Sequence, residues 1–290
     1  MKTHNLPAMM KGISLLVVLT LSLPAFAQDE EAAKSDKKEL ARPAFESALL
    51  GEMQSVVVQT PKTLEWDFMH RFGTVENGLK DFYGIYAPGA NIRMGLTYTP
   101  MDKLAVGIGL TKANMALDLN AKYAVFRQSK DNSMPVSVSY FGNVVANTQA
   151  GNYKEETHRL SFYNELIVAK RFNSKISVQI SPSFTHYNAV DTLYSNDMFA
   201  VGVGARYKFS AQSSIIINYV QPLMNHKDSK LNAQPGLAIV WEIATSAHAF
   251  QIFFSNYQGI LPQNNIMYNQ NKWGDSKFLL GFNITRLWNF

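Results

Sequence analysis

After residue 62 the chain alternates apolar and polar side chains almost one by one, and this period of two narrows its folds more than any other feature. The last fourteen residues, KFLLGFNITRLWNF, show it best. Counting back in twos from Phe290 gives Trp288, Arg286, Ile284, Phe282, Leu280 and Phe278, all but one large and apolar. The interleaved set, Asn289, Leu287, Thr285, Asn283, Gly281 and Leu279, is smaller and mostly more polar. Successive side chains of a strand point to opposite faces, so this is a strand with one greasy side.

The same reading gives twelve candidate strands: 63–72, 90–99, 104–111, 115–127, 135–146, 159–172, 175–187, 198–209, 213–220, 236–244, 249–256 and 277–290. No segment of helical period is read between them. Most are as long as a tilted strand that crosses a bilayer, about 9–11 residues. The links keep their own rhythm. Those after even strands are mostly tight (100–103, 173–174, 211–212, 245–248), and those after odd strands mostly long (73–89, 147–158, 188–197, 222–235, 257–276). Membrane barrels combine short turns on one rim with long loops on the other. One link departs from this: Lys112-Ala113-Asn114 stands where a long loop belongs. Backbone in hydrocarbon must satisfy every N–H and C=O, so strands can span only as a closed barrel. The expected fold is therefore all-β: a closed antiparallel transmembrane β-barrel of about 12 strands, with a short periplasmic N-terminal segment. Trp66, Tyr98, Phe172, Trp241 and Trp288 would form its interfacial girdles. Arg286 falls on the greasy face, either snorkelling toward headgroups or rotated inward by a bulge.

The N-terminus reads as an address. Lys2 and Lys11 precede an apolar run, 13–23, and Ala25-Phe26-Ala27 follows: the pattern of a secretory signal peptide, 1–27, cleaved before Gln28. Residues 28–60 are expected to be a periplasmic segment, partly disordered because 28–40 is charged and poor in large apolar residues. Within 41–58, Phe45, Leu49 and Met53 fall at helical spacing. A short periplasmic helix and an insert in the barrel mouth are both open for this stretch. The barrel itself is expected over 61–290.

Composition excludes several functions. There is no cysteine, hence no disulfide, thiol nucleophile or Cys-ligated metal. The formal charge of +5 falls to +3 without Lys2 and Lys11, and the basic residues are scattered, which argues against nucleic-acid binding. A mean hydropathy of −0.11 is far too low for a helical membrane protein and ordinary for a barrel that alternates. Five histidines follow the signal: His70, His158, His186, His226 and His248. No His-x-Ser pair or nucleophile elbow accompanies them, so no enzyme is expected. His70 shares a face with Trp66 and Phe68 and reads as packing; His158 beside Glu155 and Glu156 reads as a solvated loop rather than a metal site. Gly107-x-Gly109 and Gly202-x-Gly204 lie mid-strand and read as small inward residues. No cofactor is implied.

The inward face carries the charge. Period-two reading places Glu65, Asp67, Arg93, Asp118, Lys122, Glu165, Arg206, Lys208 and Glu242 in the lumen, since charges in a membrane segment are costly unless they face water or each other. They would either line an aqueous passage or pair across a filled interior. Twelve strands lie between the filled eight-strand barrel and the open 16–18-strand porin, so size does not choose.

Two resemblances add to this reading. A last strand with Trp288 and Phe290 at its end resembles the signal by which bacterial outer-membrane barrels are taken up by the barrel-assembly machinery. HRFGTVENGLKDFYGI (70–85), NIRMGLTYTP (91–100), MPVSVSYFGN (134–143), EIATSAHAFQIFFSN (242–256) and FLLGFNITRLWNF (278–290) resemble an uncharacterised Bacteroidota-type family of outer-membrane barrels. The resemblance implies the fold and a Gram-negative outer membrane, and brings no activity or site. The expected partners are outer-membrane lipid, the assembly machinery and an unidentified protein. Passive movement of small solutes through a charged lumen leads the functional readings. A structural or docking barrel that holds a partner through its long loops or N-terminal segment comes second, and a lipid-modifying enzyme last.

Overall fold

In the computed structural model, which describes residues 39–151 and 153–290, twelve strands close on themselves. They are β1 (Thr63–Thr74), β2 (Asn91–Met101), β3 (Leu104–Thr111), β4 (Ala116–Phe126), β5 (Ser137–Asn147), β6 (Leu160–Arg171), β7 (Ile176–Tyr187), β8 (Asp197–Lys208), β9 (Ser213–Pro222), β10 (Gly236–Ala244), β11 (His248–Ser255) and β12 (Leu279–Asn289). Each pairs antiparallel with the next, and β12 returns to pair with β1 from Leu279↔Thr74 to Asn289↔Thr63. The twelve-strand sheet has no free edge, which is what a bilayer demands. The proposed signal, 1–27, and residues 28–38 lie outside the described residues.

The outer surface is apolar. Leu110, Leu119, Ile217 and Phe254 point outward and keep about half their surface exposed (58%, 56%, 49% and 49%). A surface this greasy belongs in lipid rather than water. Arg286 is on this face too, exposed, with its guanidinium 5.0 Å from the Trp288 ring centre. Strict alternation therefore holds and no bulge turns it inward. His70 stacks on Phe282 at 5.2 Å with an interplanar angle of 4°, as packing requires.

The interior is filled by the chain itself. Residues 44–58 lie inside the barrel, and 39–43 run along its rim. Side chains of nine strands reach them: Arg71 (β1), Lys122 (β4), Ser139 (β5), Arg171 (β6), Gln179 (β7), Lys208 (β8), Asn218 (β9), Gln251 (β11) and Asn283 (β12). Only a segment within the ring can touch strands all the way round. It is an insert and not a helix: Leu49–Leu50 pairs with Met53–Gln54 across a turn at Gly51, whose φ of 62° suits glycine. Phe45, Leu50 and Met53 pack on Ile167, Met198, Ile216, Val240 and Phe253, an apolar strip on the inner wall. Gly202 and Gly204, the inward glycines of β8, leave the space that Met53 and Leu50 fill.

The segment is also held where it meets the barrel. The link 127–136 follows an even strand yet is long. Ala41 N donates to Gln128 O at 2.9 Å, Lys130 N donates to Glu39 O at 2.9 Å, and Leu40 bridges Ser129. This rim link is extended because it clamps the insert.

From the other rim, the long link after β11 folds inward. It contains a seven-residue helix, α1 (Pro262–Tyr268), with Gln263, Asn265, Ile266 and Met267 buried. This corrects the expectation that no helix intervenes. Less than two full turns cannot show a helical period against a background of strands.

Candidate functional site

The nine charged residues read from the sequence all point inward, but they do not line one passage. Four structural groupings replace it.

Asp67, Arg93 and Asp118 form a staple. Register places Asp67 opposite Gly95, Gly95 opposite Gly109, and Gly109 opposite Asp118. One rung across β1 to β4 therefore reads Asp-Gly-Gly-Asp, a trough between two carboxylates. Arg93 lies in it, with Nη1 donating to Asp67 Oδ1 at 2.5 Å, and Nε and Nη2 donating to the Asp118 oxygens at 2.9 Å each. A Cβ on Gly95 or Gly109 would fall on the guanidinium. The glycines are there for that close approach.

Glu65 and Lys122 lie beside a cavity of about 70 Å³ that is also walled by Leu49 and Val57 of the insert and by Ile260 and Leu261 of the inward loop. Lys122 Nζ donates to Ala48 O at 3.0 Å, and Glu65 accepts from Gln59 Nε2 at 3.1 Å. Glu165 lines a second cavity of about 40 Å³. Each has room for a few waters at most. Glu242 accepts from Gln251 Nε2 at 2.8 Å, and the same Gln251 nitrogen donates to Leu49 O at 3.0 Å.

Arg206 and Lys208 meet Glu46 of the insert at 3.4 and 2.7 Å. Burial alone would raise the Glu46 carboxyl, but Lys208, Arg206 and Arg171 outweigh it and hold the group below its ordinary 4.5. A lowered folded-state value contributes stability above the ordinary pKa, and that contribution is lost as pH falls through the lowered value. Acidification from pH 5 should therefore loosen the insert. Amide protection at 49–57, taken relative to the intrinsic exchange rate at each pH, is expected to fall in acid, and Glu46→Gln to show one lower, acid-independent protection. An unchanged acid response in Glu46→Gln would assign the step elsewhere.

The fourth grouping was not read from the sequence as a site. Arg71 of β1 is completely buried and donates to both oxygens of Glu52, whose side chain is 2% exposed, at 2.7 Å for the closest pair. It also donates to Asn283 Oδ1 at 3.0 Å and lies 4.5 Å over the Phe253 ring. Inward amides were missed as well. Gln179, Asn218, Gln251 and Asn283 bind the insert's backbone. Their signal was a mid-strand amide in phase with the charges, which marks an interior that must satisfy another chain's N–H and C=O groups.

At the long-loop mouth two recesses adjoin, of about 520 and 240 Å³, and share Asn114, Asn264 and Tyr268. The larger is lined by six asparagines, two glutamines and Lys112, without a carboxylate. Tyr187 Oη donates to Asn264 Oδ1 at 2.5 Å, and His226 Nε2 lies 2.9 Å from Met267 O, so α1 is held from two sides. His158 and Arg159 line the smaller recess, and Arg159 Nε donates to Glu156 at 2.9 Å.

A closed twelve-strand barrel with a lipid-facing apolar surface and a polar, charged interior is a protein of the outer membrane. More particularly, residues 45–288 match the family described as Membrane bound beta barrel domain (DUF5777), and the chain belongs to that family. None of the curated proteins matches it in sequence. Among solved structures, an outer membrane channel from Pseudomonas putida F1 is similar over 89% of this chain and 100% of its own, at 13% identity and a TM-score of 0.51. The KdgM porin (7% identity, TM-score 0.47) and the NanC porin (7%, 0.48) each cover 78% of this chain and 99% of their own. At these identities the likeness is one of fold.

Proposed function

We propose that this is a plugged outer-membrane barrel that works at its long-loop mouth, holding a ligand or partner there, and not an open pore. The observation that carries this is the match between the insert and the wall. Phe45, Leu50 and Met53 cover an apolar strip that an aqueous channel would have to wet. Burying each such side chain is worth about 1.5–3 kcal/mol, so the insert belongs to the folded barrel and not to a passing gate. In this reading the clamped rim, 127–136, faces the periplasm and the two recesses face outward. Trp288 and Phe290 then stand at the inner rim, where the assembly machinery would engage the last strand. No catalytic step is part of the proposal.

The second reading is solute passage after the insert withdraws. It is favoured by the contacts of Glu46 and Glu52 with Lys208, Arg206 and Arg71, which water can replace. Planar-bilayer recording separates the two. The full chain is expected to be silent, and a chain lacking 39–60 to be unstable or noisy. Stable, uniform conductance steps from the full chain would overturn the docking reading.

A further inference from the structure

The two recesses are one groove, and its chemistry names a ligand class. We propose that the groove binds a neutral oligosaccharide across Asn114, Asn264 and Tyr268; this rests on the docking reading and gives it a substrate class. At about 520 Å³ the larger recess is within the usual 300–1,000 Å³ of ligand sites.

Three observations carry the argument. First, the wall of the larger recess is almost all carboxamide, and each carboxamide offers two donors and an acceptor. A ring of hydroxyls needs that mixture; an anion needs donors only, and a cation acceptors only. Lys112 is the sole charge of the larger recess, and its Nζ donates to Ala90 O at 2.9 Å; in the smaller one Arg159 is spent on Glu156 at 2.9 Å.

Second, part of this capacity is unspent. Among the described residues the Asn114 side chain has no hydrogen-bond partner. Asn264 spends its oxygen on Tyr187 and Gln270 its nitrogen on Leu231 and Asn232, leaving the Asn264 nitrogen and the Gln270 oxygen open. Tyr268 is 37% exposed and belongs to both recesses, giving a sugar face an aromatic surface between them.

Third, the groove exists because of the short link after β3. Lys112, Ala113 and Asn114 lower the rim there, and Asn114 (φ 59°) turns within that link. A long loop at this position, as the rest of the rhythm demands, would stand over the opening. A peptide is disfavoured because the larger recess is lined by no large aliphatic side chain to anchor one.

The test is calorimetric titration of the full chain in lipid nanodiscs with maltohexaose and cellohexaose, a hexameric uronic acid and a Gly/Ser hexapeptide. Saturable binding of a neutral hexasaccharide is expected, at least tenfold weaker in Asn114→Gly and in Asn264→Asp, with unchanged thermal unfolding. The first keeps the turn's positive φ; the second keeps the acceptor for Tyr187 while removing the open donor. Binding untouched by both variants, binding only of the uronic acid or the peptide, or no binding at millimolar sugar would each overturn the proposal. A chain that is silent in bilayers and binds no sugar loses this inference alone; one that conducts and binds sugar loses the docking reading and keeps the site.

Discussion

Arg71→Met is expected to loosen the insert by about 3–5 kcal/mol, because it strands the Glu52 carboxylate in a site where it is 2% exposed. Methionine keeps most of the side-chain volume over Phe253, so the loss is chiefly one of charge and hydrogen bonds. Five protein acceptors receive Arg71's donors: both Glu52 oxygens, Asn283 Oδ1 and the His70 and Phe282 carbonyls. Glu52→Gln should cost less alone, since Gln keeps hydrogen-bonding atoms and leaves the cation to Asn283 and the ring. The double variant should recover part of the Arg71→Met loss, which a double-mutant cycle reads as coupling. Urea unfolding in lipid, with amide exchange at 49–57, measures both. If Arg71→Met exchanges at the wild-type rate, the Arg71–Glu52 pair does not hold the insert.

The second large effect is expected in the wall. Arg93→Met leaves Asp67 and Asp118 facing one trough with no cation between them, again a loss of about 3–5 kcal/mol. The damage should fall on β1 to β4, the strands the staple joins, with β6 to β9 spared. Gly109→Ala should act in the same direction, since its Cβ would fall on the Arg93 guanidinium. Leu110→Ala, one residue along and lipid-facing, is a matched control expected to change little. Arg93→Met combined with Asp67→Asn and Asp118→Asn should recover much of the stability, because removing every member of a buried charge cluster is far milder than orphaning one. Heat-induced unfolding followed on gels, with strand-resolved exchange, checks this; equal loss across all strands would show that the staple has no local role.

Much of this molecule is legible in one dimension. Every barrel strand was visible, because a sheet with lipid on one side and a polar interior on the other writes its period of two directly into the residues. The inward charges were visible for the same reason. Even the odd short link, 112–114, stood out before its consequence was known. The ends of strands differ from the expected ones by two residues at most, as at β1, where Gly73 and Thr74 extend pairing to Leu279.

What the residues could not disclose is what fills the ring. Phe45, Leu49 and Met53 suit a helix, a mouth insert or a hairpin equally, and only the wall selects among them, through Gln251 on Gly51 and Asn218 on Glu52. The pairing of Arg71 with Glu52 joins positions 19 residues apart in sequence and the barrel's interior in space. The rung of Asp67, Gly95, Gly109 and Asp118 is drawn from four strands and exists only once their register is set. Alternation is a local property, imposed on each strand by its two solvents, and so it survives in the sequence alone. Which charge meets which, whether the lumen is open, and where the outer groove lies depend on closure, register and the inward path of two links. Those are relations between distant residues, and only the tertiary structure decided them.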